Sequence, residues 1–378
     1  MRVGIIGFGR IGAEHAEWLK AAQGVDAVAV ADITPARREL AQSRGLETYD
    51  SYTALLADHR IDAILVSSAT AMHFEHASAA LAAGKHVMVE KPMALDLKQS
   101  AELVRRANEA GRVLSVFHNR RWDVDYLTVL DAVRQGRFGR LINVESRIGQ
   151  WASCVGPAAK EWRPQWRNEA SFGGGGLYDW GSHFIDQLWQ LMLPAKPVRV
   201  FAQLRGNVWT CDCDDFARVV IDFDDEGGRG TGGGSGGGTG GGTGGASGGG
   251  SGRGGPVGMV EINTTTTRPL PRWHIDGTAG SAESPYSLAF DLDAWAKLDF
   301  TPAPRSTPES SDAALTTTAP LPRAAGVLTE SHIWQQFAAA CRGEGEPAVI
   351  AHSVLMTMSL LDAARESSRT GTAVDLAR

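Results

Sequence analysis

The chain has 378 residues, a length that corresponds to two domains of ordinary size and can bury a core without disulfides or structural metals. Charged residues make up 21% and hydrophobic residues 43%, and the formal net charge is −6 at pH 7. With this net charge the protein has no overall positive field that would attract nucleic acid or an anionic membrane. No apolar run reaches the roughly 18 residues of a membrane span. We therefore expect partners that include neither nucleic acid nor membrane.

Cysteine usage and the N-terminal residues indicate the compartment. Four cysteines are too few for a disulfide scaffold in a chain of this length. Cys211 and Cys213 form a C-D-C pair, but no second pair of ligands accompanies them, so no metal site is predicted. The segment Met1–Gly7 passes directly into strand-like sequence without the features of a signal peptide. We expect a cytoplasmic protein with reduced thiols.

Short apolar runs alternate with amphipathic stretches from the N-terminus to about Phe117. The expected strands are Val3–Gly7, Ala27–Asp32, Ile61–Ser67, His86–Glu90 and Val113–Phe117, and the expected helices are Ile11–Ala22, Pro35–Arg44, His73–Ala83 and Leu97–Ala110. Gly84 and Gly111 stand where helices commonly end on glycine. Strands that are apolar throughout and alternate with helices predict a doubly wound α/β domain, in which helices cover both faces of a parallel sheet.

The pattern changes after Phe117 to one typical of an α+β domain with an open, mostly antiparallel sheet. The expected helices are Asp123–Gln135, Gly176–Met192, Ser331–Cys341 and Ala351–Ser367, and the expected strands are Leu141–Trp151, Val198–Leu204, Phe216–Asp222, Gly258–Thr265 and Trp273–Asp276. Residues 227–255 hold 20 of the 45 glycines. Because such a tract cannot offset its ordering entropy by burying apolar surface, we predict a disordered Gly-rich loop between two adjacent strands.

A glycine motif opens the first predicted helix. Residues 7–12 read G-F-G-R-I-G, which matches G-x-G-x-x-G between a strand and a helix, the context in which the motif binds a dinucleotide pyrophosphate. Asp32 follows 20 residues after Gly12, where a carboxylate accepts from ribose hydroxyls and repels a 2′-phosphate. NAD is therefore favoured, with NADP as the alternative. Arg37 and Arg38 are interpreted as a solvated helix face.

Two later segments place candidate reactive groups. Lys91, in E-K-P, follows the predicted strand His86–Glu90 at the sheet edge where ligands bind, so it can stabilise charge on a substrate oxygen. In the helix predicted from Gly176, Asp179 and His183 are four residues apart and would share a face. A histidine oriented by a carboxylate can exchange a proton near neutral pH, and the alternative is a structural buried histidine.

The segments GFGRIG, EKP and GGGGLYDWGSHFID, in this order, closely resemble the glucose–fructose oxidoreductase, inositol dehydrogenase and rhizopine catabolism (Gfo/Idh/MocA) family. The resemblance implies an N-terminal Rossmann domain, expected at residues 1–122, that binds NAD(P). It also implies a C-terminal substrate and oligomerisation domain, expected at residues 123–378, and a homodimer or homotetramer. By the same resemblance, Lys91, Asp179 and His183 correspond to the catalytic lysine, aspartate and histidine of the family. His183 would act as general acid/base, Lys91 would polarise the hydroxyl and Asp179 would orient the substrate.

The remaining expected contacts concern the cofactor and the substrate. The expected cofactor contacts are Gly7, Phe8, Gly9, Arg10, Ile11, Gly12, Asp32, Ser68, His73, Glu90 and Lys91. Seven of the 11 tryptophans lie between Trp122 and Trp209, and indole faces suit the C–H faces of sugar rings. The expected substrate contacts are Asn119, Trp162, Arg163 and Trp166, and Arg167 is a further arginine beside them.

The resemblance implies an NAD(P)-dependent dehydrogenase that acts on a secondary hydroxyl or ketone of a cyclic polyol or sugar. Residues 117–123, F-H-N-R-R-W-D, resemble a branch that contains scyllo-inositol dehydrogenases and often uses NADP. Two alternatives remain. Some members of the family are glycosidases that oxidise the sugar transiently, and one is a nucleotide-sensing regulator without catalysis.

Overall fold

The computed structural model describes residues 1–154, 163, 165–210, 212–224, 254–285, 291–304 and 317–376. The N-terminal part alternates strands with helices. Its strands are β1 (Arg2–Ile6), β2 (Asp26–Ala31), β3 (Glu47–Tyr49), β4 (Ala63–Val66), β5 (His86–Val89) and β6 (Leu114–Val116). Its helices are α1 (Arg10–Ala21), α2 (Pro35–Ser43), α3 (Tyr52–Leu56), α4 (His73–Ala82) and α5 (Leu97–Ala110).

The six described strands of this part form a parallel sheet in the order β3-β2-β1-β4-β5-β6. All four side chains of β4 are buried, as expected for a strand covered on both faces. The order reverses between β1 and β4, which creates the crevice where doubly wound sheets bind ligands. The doubly wound fold is confirmed, but β3 and α3 were not predicted.

The C-terminal part combines a second sheet with helices. Its strands are β7 (Leu141–Gly149), β8 (Pro197–Arg205), β9 (Phe216–Phe223), β10 (Val257–Asn263), β11 (Trp273–Gly277), β12 (Gly280–Glu283), β13 (Asp299–Pro302), β14 (Ala319–Pro320) and β15 (Val374–Asp375). Its helices are α6 (Val124–Arg134), α7 (Ser182–Leu191), α8 (Leu292–Trp295), α9 (Glu330–Cys341) and α10 (Leu355–Thr370). Within the described ranges the strand order is β14-β13-β12-β11-β7-β10-β9-β8-β15.

This second sheet is mixed and mostly antiparallel, as predicted. Of its described pairs, only β7 with β10 is parallel. The strands β9 and β10, which flank the glycine tract, pair with each other, and Asp222 lies opposite Val257. The predicted adjacency of these strands is thus confirmed, while residues 227–253 of the disordered loop predicted at 227–255 lie outside the described residues.

Helix α9 packs against the first sheet rather than the second. Ile333, Trp334 and Phe337 are buried in the same hydrophobic cluster as Phe8 of the glycine motif and Leu19 of α1. The far end of the chain therefore contributes to the core beneath the glycine motif. None of the helices in the described residues is both long and apolar enough to cross a membrane.

Candidate functional site

A cavity of about 380 Å³ lies above the carboxyl ends of the first sheet. Its lining includes Gly7 after β1, Asp32 after β2, Ser68 after β4 and Glu90 after β5. Carboxyl ends of parallel strands meet at one edge, and a ligand there lies against the N-termini of the following helices. The predicted cofactor residues that line the cavity are Gly7, Gly9, Arg10, Ile11, Asp32, Ser68, His73, Glu90 and Lys91.

The glycine motif has the close backbone packing that a dinucleotide site requires. Gly7 has φ +90°, and a Cβ there would lie 2.8 Å from the Ser68 backbone nitrogen. A Cβ on Gly12 would lie 2.2 Å from the Gly7 carbonyl oxygen, so this glycine lets α1 pack on β1. Gly9 faces the cavity and would meet only the Arg37 guanidinium, at 3.4 Å. The turn therefore fits a pyrophosphate at the N-terminus of α1.

Two of the expected cofactor contacts do not line the cavity. Gly12 is a packing residue of the motif, as described above. The Phe8 side chain is 1% exposed and belongs to the core, while its backbone N–H donates to Asp32 Oδ2 at 2.7 Å. Phe8 thus acts on the site through its main chain, by holding the carboxylate of Asp32.

Asp32 and Arg37 form the end of the cavity where β2 stops. Asp32 accepts from Phe8 through Oδ2 and from Thr34 through Oδ1, at 2.7 and 2.8 Å. Arg37 Nη1 lies 3.9 Å from Asp32 Oδ2, and the Arg37 side chain is only 17% exposed. The interpretation of Arg37 and Arg38 as a solvated face was wrong, because Arg37 lines the cavity and Arg38 donates to the Asp32 carbonyl at 2.6 Å.

The opposite wall of the cavity is built by the glycine run that precedes α7. Gly175 has φ +101°, and a Cβ there would lie 2.3 Å from Asp214 Oδ1. Asp214 accepts from the Leu177 N–H at 2.7 Å, so the run wraps around a buried carboxyl group. Burial raises the pKa of Asp214 to about 7. Only glycine permits this close wrapping, which directs Asp179 toward the first sheet.

Lys91 and Asp179 meet at the inner end of the cavity. The Lys91 ammonium donates to the Asp179 carbonyl oxygen at 2.8 Å and to its Oδ1 at 3.2 Å, although the residues are 88 positions apart in the chain. Burial disfavours ionisation of Asp179, but the charges of Lys91 and Arg167, together with the hydrogen bond from Lys91, outweigh it and lower the Asp179 pKa below its usual value. A fixed ammonium group thus faces the cavity beside an ionised carboxylate.

His183 lies in the first turn of α7 and is 5% exposed. It is not part of the cavity lining, and its Nδ1 has no hydrogen-bond partner among the described residues. Burial lowers the His183 pKa well below its usual value, and the charge of Lys91 lowers it further. The imidazole is therefore neutral at neutral pH, the state that can accept a proton.

Asp179 and His183 do not form the pair expected from helical spacing. Residues Leu177–Gly181 form one π-helical turn before α7 begins at Ser182. Because a π-turn holds more residues than an α-turn, positions four apart no longer stack on one face. Asp179 bonds to Lys91, whereas the ring of His183 meets the ring of His118 edge to face, with centroids 5.7 Å apart.

Asp186 does not lie in the cavity either. Its two carboxylate oxygens accept from Arg121 at 2.7 and 2.8 Å, and Oδ1 also accepts from Thr357 at 2.8 Å. Burial disfavours ionisation of Asp186, but the charge of Arg121 together with the hydrogen bonds from Arg121 and Thr357 and the nearby His118 outweighs it and lowers the Asp186 pKa. Asp186 is therefore a structural carboxylate that anchors α7 to the turn before α6.

The predicted substrate residues fall into three groups. Trp166 and Arg163 line the cavity, and the guanidinium of Arg167, which also lines it, lies over the Trp166 ring at 4.3 Å. Asn119 does not line the cavity; its amide instead donates to the Glu330 carboxylate of α9 at 3.3 Å. Trp162 lies outside the described residues. One face of the Trp166 indole is thus already covered by an arginine.

Sequence reasoning missed several lining residues. Tyr52 and His76 line the cavity, with ring centroids 4.6 Å apart, and His76 Nδ1 lies 2.9 Å from Ser68 Oγ. Tyr52 belongs to the unpredicted helix α3, and Asp50, also in the lining, follows the unpredicted strand β3. A three-residue strand has too few positions for a detectable alternation, so the strand that leads to Asp50 and Tyr52 gave no sequence signal. Within the described ranges, no group of three His, Cys, Asp or Glu side chains could hold a metal ion.

The chain matches two family models. Residues 1–118 match the oxidoreductase family GFO_IDH_MocA with an NAD-binding Rossmann fold, and residues 126–239 match the GFO/IDH/MocA C-terminal domain. A crystal structure of an NAD-binding protein from Listeria innocua superposes with a TM-score of 0.81 at 27% identity, covering 99% of this chain and 96% of that chain. The two models together span more than half of the chain.

Curated relatives match over a shorter part. The oxidoreductase YdgJ of Escherichia coli is 35% identical over 214 residues, 56% of this chain and 60% of that protein. The scyllo-inositol 2-dehydrogenase (NADP(+)) IolW of Bacillus subtilis is 30% identical over 226 residues, 59% of this chain and 60% of that protein. The matches therefore span about 60% of the length of these two relatives.

Proposed function

Because the chain belongs to the GFO/IDH/MocA oxidoreductase family, we propose that it is an NAD(P)-dependent dehydrogenase acting on a secondary hydroxyl or ketone of a cyclic polyol or sugar. One observation carries the proposal: the Lys91 ammonium group and Asp179 meet in the same cavity as the glycine motif. A bound nicotinamide cofactor supplies hydride transfer. The protein then has to supply groups that bind the substrate oxygen and move its proton.

Lys91 supplies charge stabilisation in this mechanism. Its ammonium group, held by Asp179 at 3.2 Å, donates to the substrate oxygen and stabilises the negative charge that develops there. Asp179 keeps the ammonium in place and accepts from a neighbouring substrate hydroxyl. The family resemblance implies that the proton transfer falls to His183: it is neutral because burial lowers its pKa, and it would take the hydroxyl proton in oxidation and return it in reduction, although its ring does not line the cavity.

The substrate class is inferred from a relative and from the cavity wall. The name of IolW assigns that protein a cyclic polyol, scyllo-inositol. In this chain the wall opposite the cofactor motif carries Trp166 and Arg163, which offer an aromatic edge and hydroxyl-binding donors. Both features suit a ring that carries several hydroxyl groups.

The assembly and the compartment are also part of the proposal. Side chains of β8 and β9 alternate between buried and partly or fully exposed, so these two strands leave one face of the second sheet accessible, and Phe201 on that face is 40% exposed. We infer that this face joins subunits of a homodimer or homotetramer in the cytoplasm. The open face would then be removed from water.

The test of function is an absorbance assay for reduced nicotinamide with a panel of inositols, hexoses and sugar acids, run with NAD and NADP in parallel. We expect cofactor reduction with one class of ring substrate. Hydrolysis of glycosides without net cofactor reduction would instead identify a redox-assisted glycosidase. Cofactor binding without turnover of any ring substrate or glycoside would favour a nucleotide-sensing regulator.

The Arg37→Ala variant should separate the two cofactors. We expect kcat/KM with NADP to fall about 10- to 100-fold, the range for losing a charge-assisted hydrogen bond, while the value with NAD changes less than about threefold. The reason is that Arg37, 3.9 Å from Asp32, can neutralise a 2′-phosphate at the position where Asp32 accepts from ribose hydroxyls. Steady-state kinetics with each cofactor measures the ratio. Equal losses with both cofactors would contradict this role.

A further inference from the structure

A buried hydrogen-bond chain connects helix α9 to the reaction centre. The indole Nε1 of Trp334 lies 3.0 Å from Nδ1 of His15 in α1. His15 Nε2 lies 2.8 Å from Glu90 Oε1, and the other carboxylate oxygen of Glu90 accepts from the backbone N–H of Lys91 at 3.0 Å. Trp334 and His15 have no exposed surface, and Glu90 lines the cavity.

The chemistry of the indole fixes the direction of every bond in this chain. An indole N–H can only donate, so His15 Nδ1 must be an unprotonated acceptor. The remaining proton of a neutral imidazole then lies on Nε2, which points at Glu90 and donates to it. In the opposite tautomer the Nδ1 proton would meet the indole proton, and the Nε2 lone pair would face the carboxylate.

The carboxylate at the end of the chain needs this donor. Burial alone would raise the pKa of Glu90, but the combined interactions with His15, above all the hydrogen bond, and with the side chain and backbone N–H of Lys91 outweigh burial and lower the pKa below its usual value. An ionised Glu90 is a strong acceptor for the Lys91 N–H. The orientation of the Lys91 backbone therefore depends on Glu90, on His15 and, through His15, on the indole N–H of Trp334 in α9.

We propose that Trp334 is a positioning residue for the reaction centre: its indole N–H holds His15 in the tautomer that donates to Glu90, and Glu90 in turn fixes the backbone of Lys91. This inference rests on the proposed role of Lys91 in the dehydrogenase. Neither Trp334 nor His15 touches the cavity, so their effect must pass through Glu90. Trp334 also lies beyond residue 239, where the match to the C-terminal family model ends.

Trp334→Phe removes the donor but keeps an aromatic ring in the cluster. Trp18→Phe is the matched control, because Trp18 packs against the same His15 ring, with ring centroids 4.8 Å apart. Among the described contacts, the indole nitrogen of Trp18 makes no hydrogen bond to His15, whereas that of Trp334 does. We expect kcat to fall about tenfold in Trp334→Phe and less than about twofold in Trp18→Phe. The KM for substrate and the Kd for NAD should stay within about twofold in both variants, because neither side chain touches a ligand.

The tautomer of His15 gives a second readout that does not depend on activity. In protein labelled with ¹⁵N at histidine, we expect the His15 imidazole of the wild type to show a protonated Nε2 and an unprotonated Nδ1. Trp334→Phe should shift this pattern toward a mixture, while Trp18→Phe should leave it unchanged. A wild-type His15 with its proton on Nδ1 would overturn the proposal even if the Trp334 variant fails to fold.

The results separate this inference from the proposed function. Equal kcat values in Trp334→Phe and Trp18→Phe, in an enzyme that needs Lys91, would overturn the positioning role alone. Full activity without the Lys91 side chain would overturn the proposed mechanism, whatever the tautomer of His15. A kcat loss restricted to Trp334→Phe, accompanied by the tautomer change, would support both.

Discussion

Replacing Lys91 with methionine is expected to lower kcat by about 10²- to 10³-fold, the range for removing one donor to a developing oxyanion. Methionine keeps most of the side-chain volume but cannot donate to the substrate oxygen. NAD should still bind with a Kd within about threefold of the wild type, because the glycine motif and Asp32 are unchanged. Stopped-flow or steady-state reduction of NAD gives kcat, and calorimetry gives the Kd.

Lys98→Met is the control for loss of a lysine. Lys98 lies seven residues further along, in the first turns of α5, and is exposed and outside the cavity. Its substitution should leave kcat within about twofold of the wild type. If Lys91→Met retains wild-type kcat, the charge stabilisation must come from another group and the proposed mechanism is wrong. If it loses NAD binding instead, Lys91 is a cofactor ligand rather than a catalytic residue.

The His183→Asn variant is expected to lower kcat by about 10²- to 10⁴-fold, the usual contribution of a general acid or base. In the wild type, oxidation requires neutral His183. Because burial and then the charge of Lys91 lower its pKa well below 6.5, the rate of oxidation should stay level as the pH falls through 6.5 and decline only at lower pH. Ketone reduction requires the protonated form and should therefore accelerate over that same lower range.

The pH profile of kcat/KM in both directions, with His59→Asn as a control, measures this effect. His59 is exposed and lies outside the cavity, so its loss should alter neither kcat nor the profile. An acid limb centred at or above pH 6.5 in the wild type would assign the titration to another group. If the residual activity of His183→Asn still declines at low pH, the titrating group is likewise not His183.

Local sequence patterns correctly predicted the helices and strands that have recognisable start and stop residues. Helix α5 spans Leu97–Ala110 as expected, because Asp96 accepts from the Gln99 N–H at its start and Gly111 adopts a left-handed conformation at its end. The glycine motif was recognised for a similar reason, since its three glycines are spaced within six residues between a strand and a helix. The position of Lys91 after a strand and the spacing of Asp179 from His183 marked both as candidates, the family resemblance implied their roles, and the fold brings the two into one cavity.

Features that depend on distant contacts were not predictable. The π-turn at Leu177–Gly181 separates Asp179 from His183, although their spacing in the sequence is that of an ordinary helix. The burial of Arg37 against Asp32 depends on how α2 returns to the cavity, and nothing in the local sequence encodes it. The contact between Trp334 and His15 joins residues 319 positions apart, beyond the reach of any periodicity.

The pairing of β9 with β10 has a consequence for the evolution of this gene. Asp222 and Val257 face each other across the ladder, so the two ends of the glycine tract are held together by the sheet itself. The entropy of closing a connection grows only with the logarithm of its length, at about 0.6 kcal/mol for each doubling. Replication slippage in a repetitive coding sequence can therefore lengthen or shorten this segment at little cost in folding free energy, and the described residues that line the cavity all lie outside the tract.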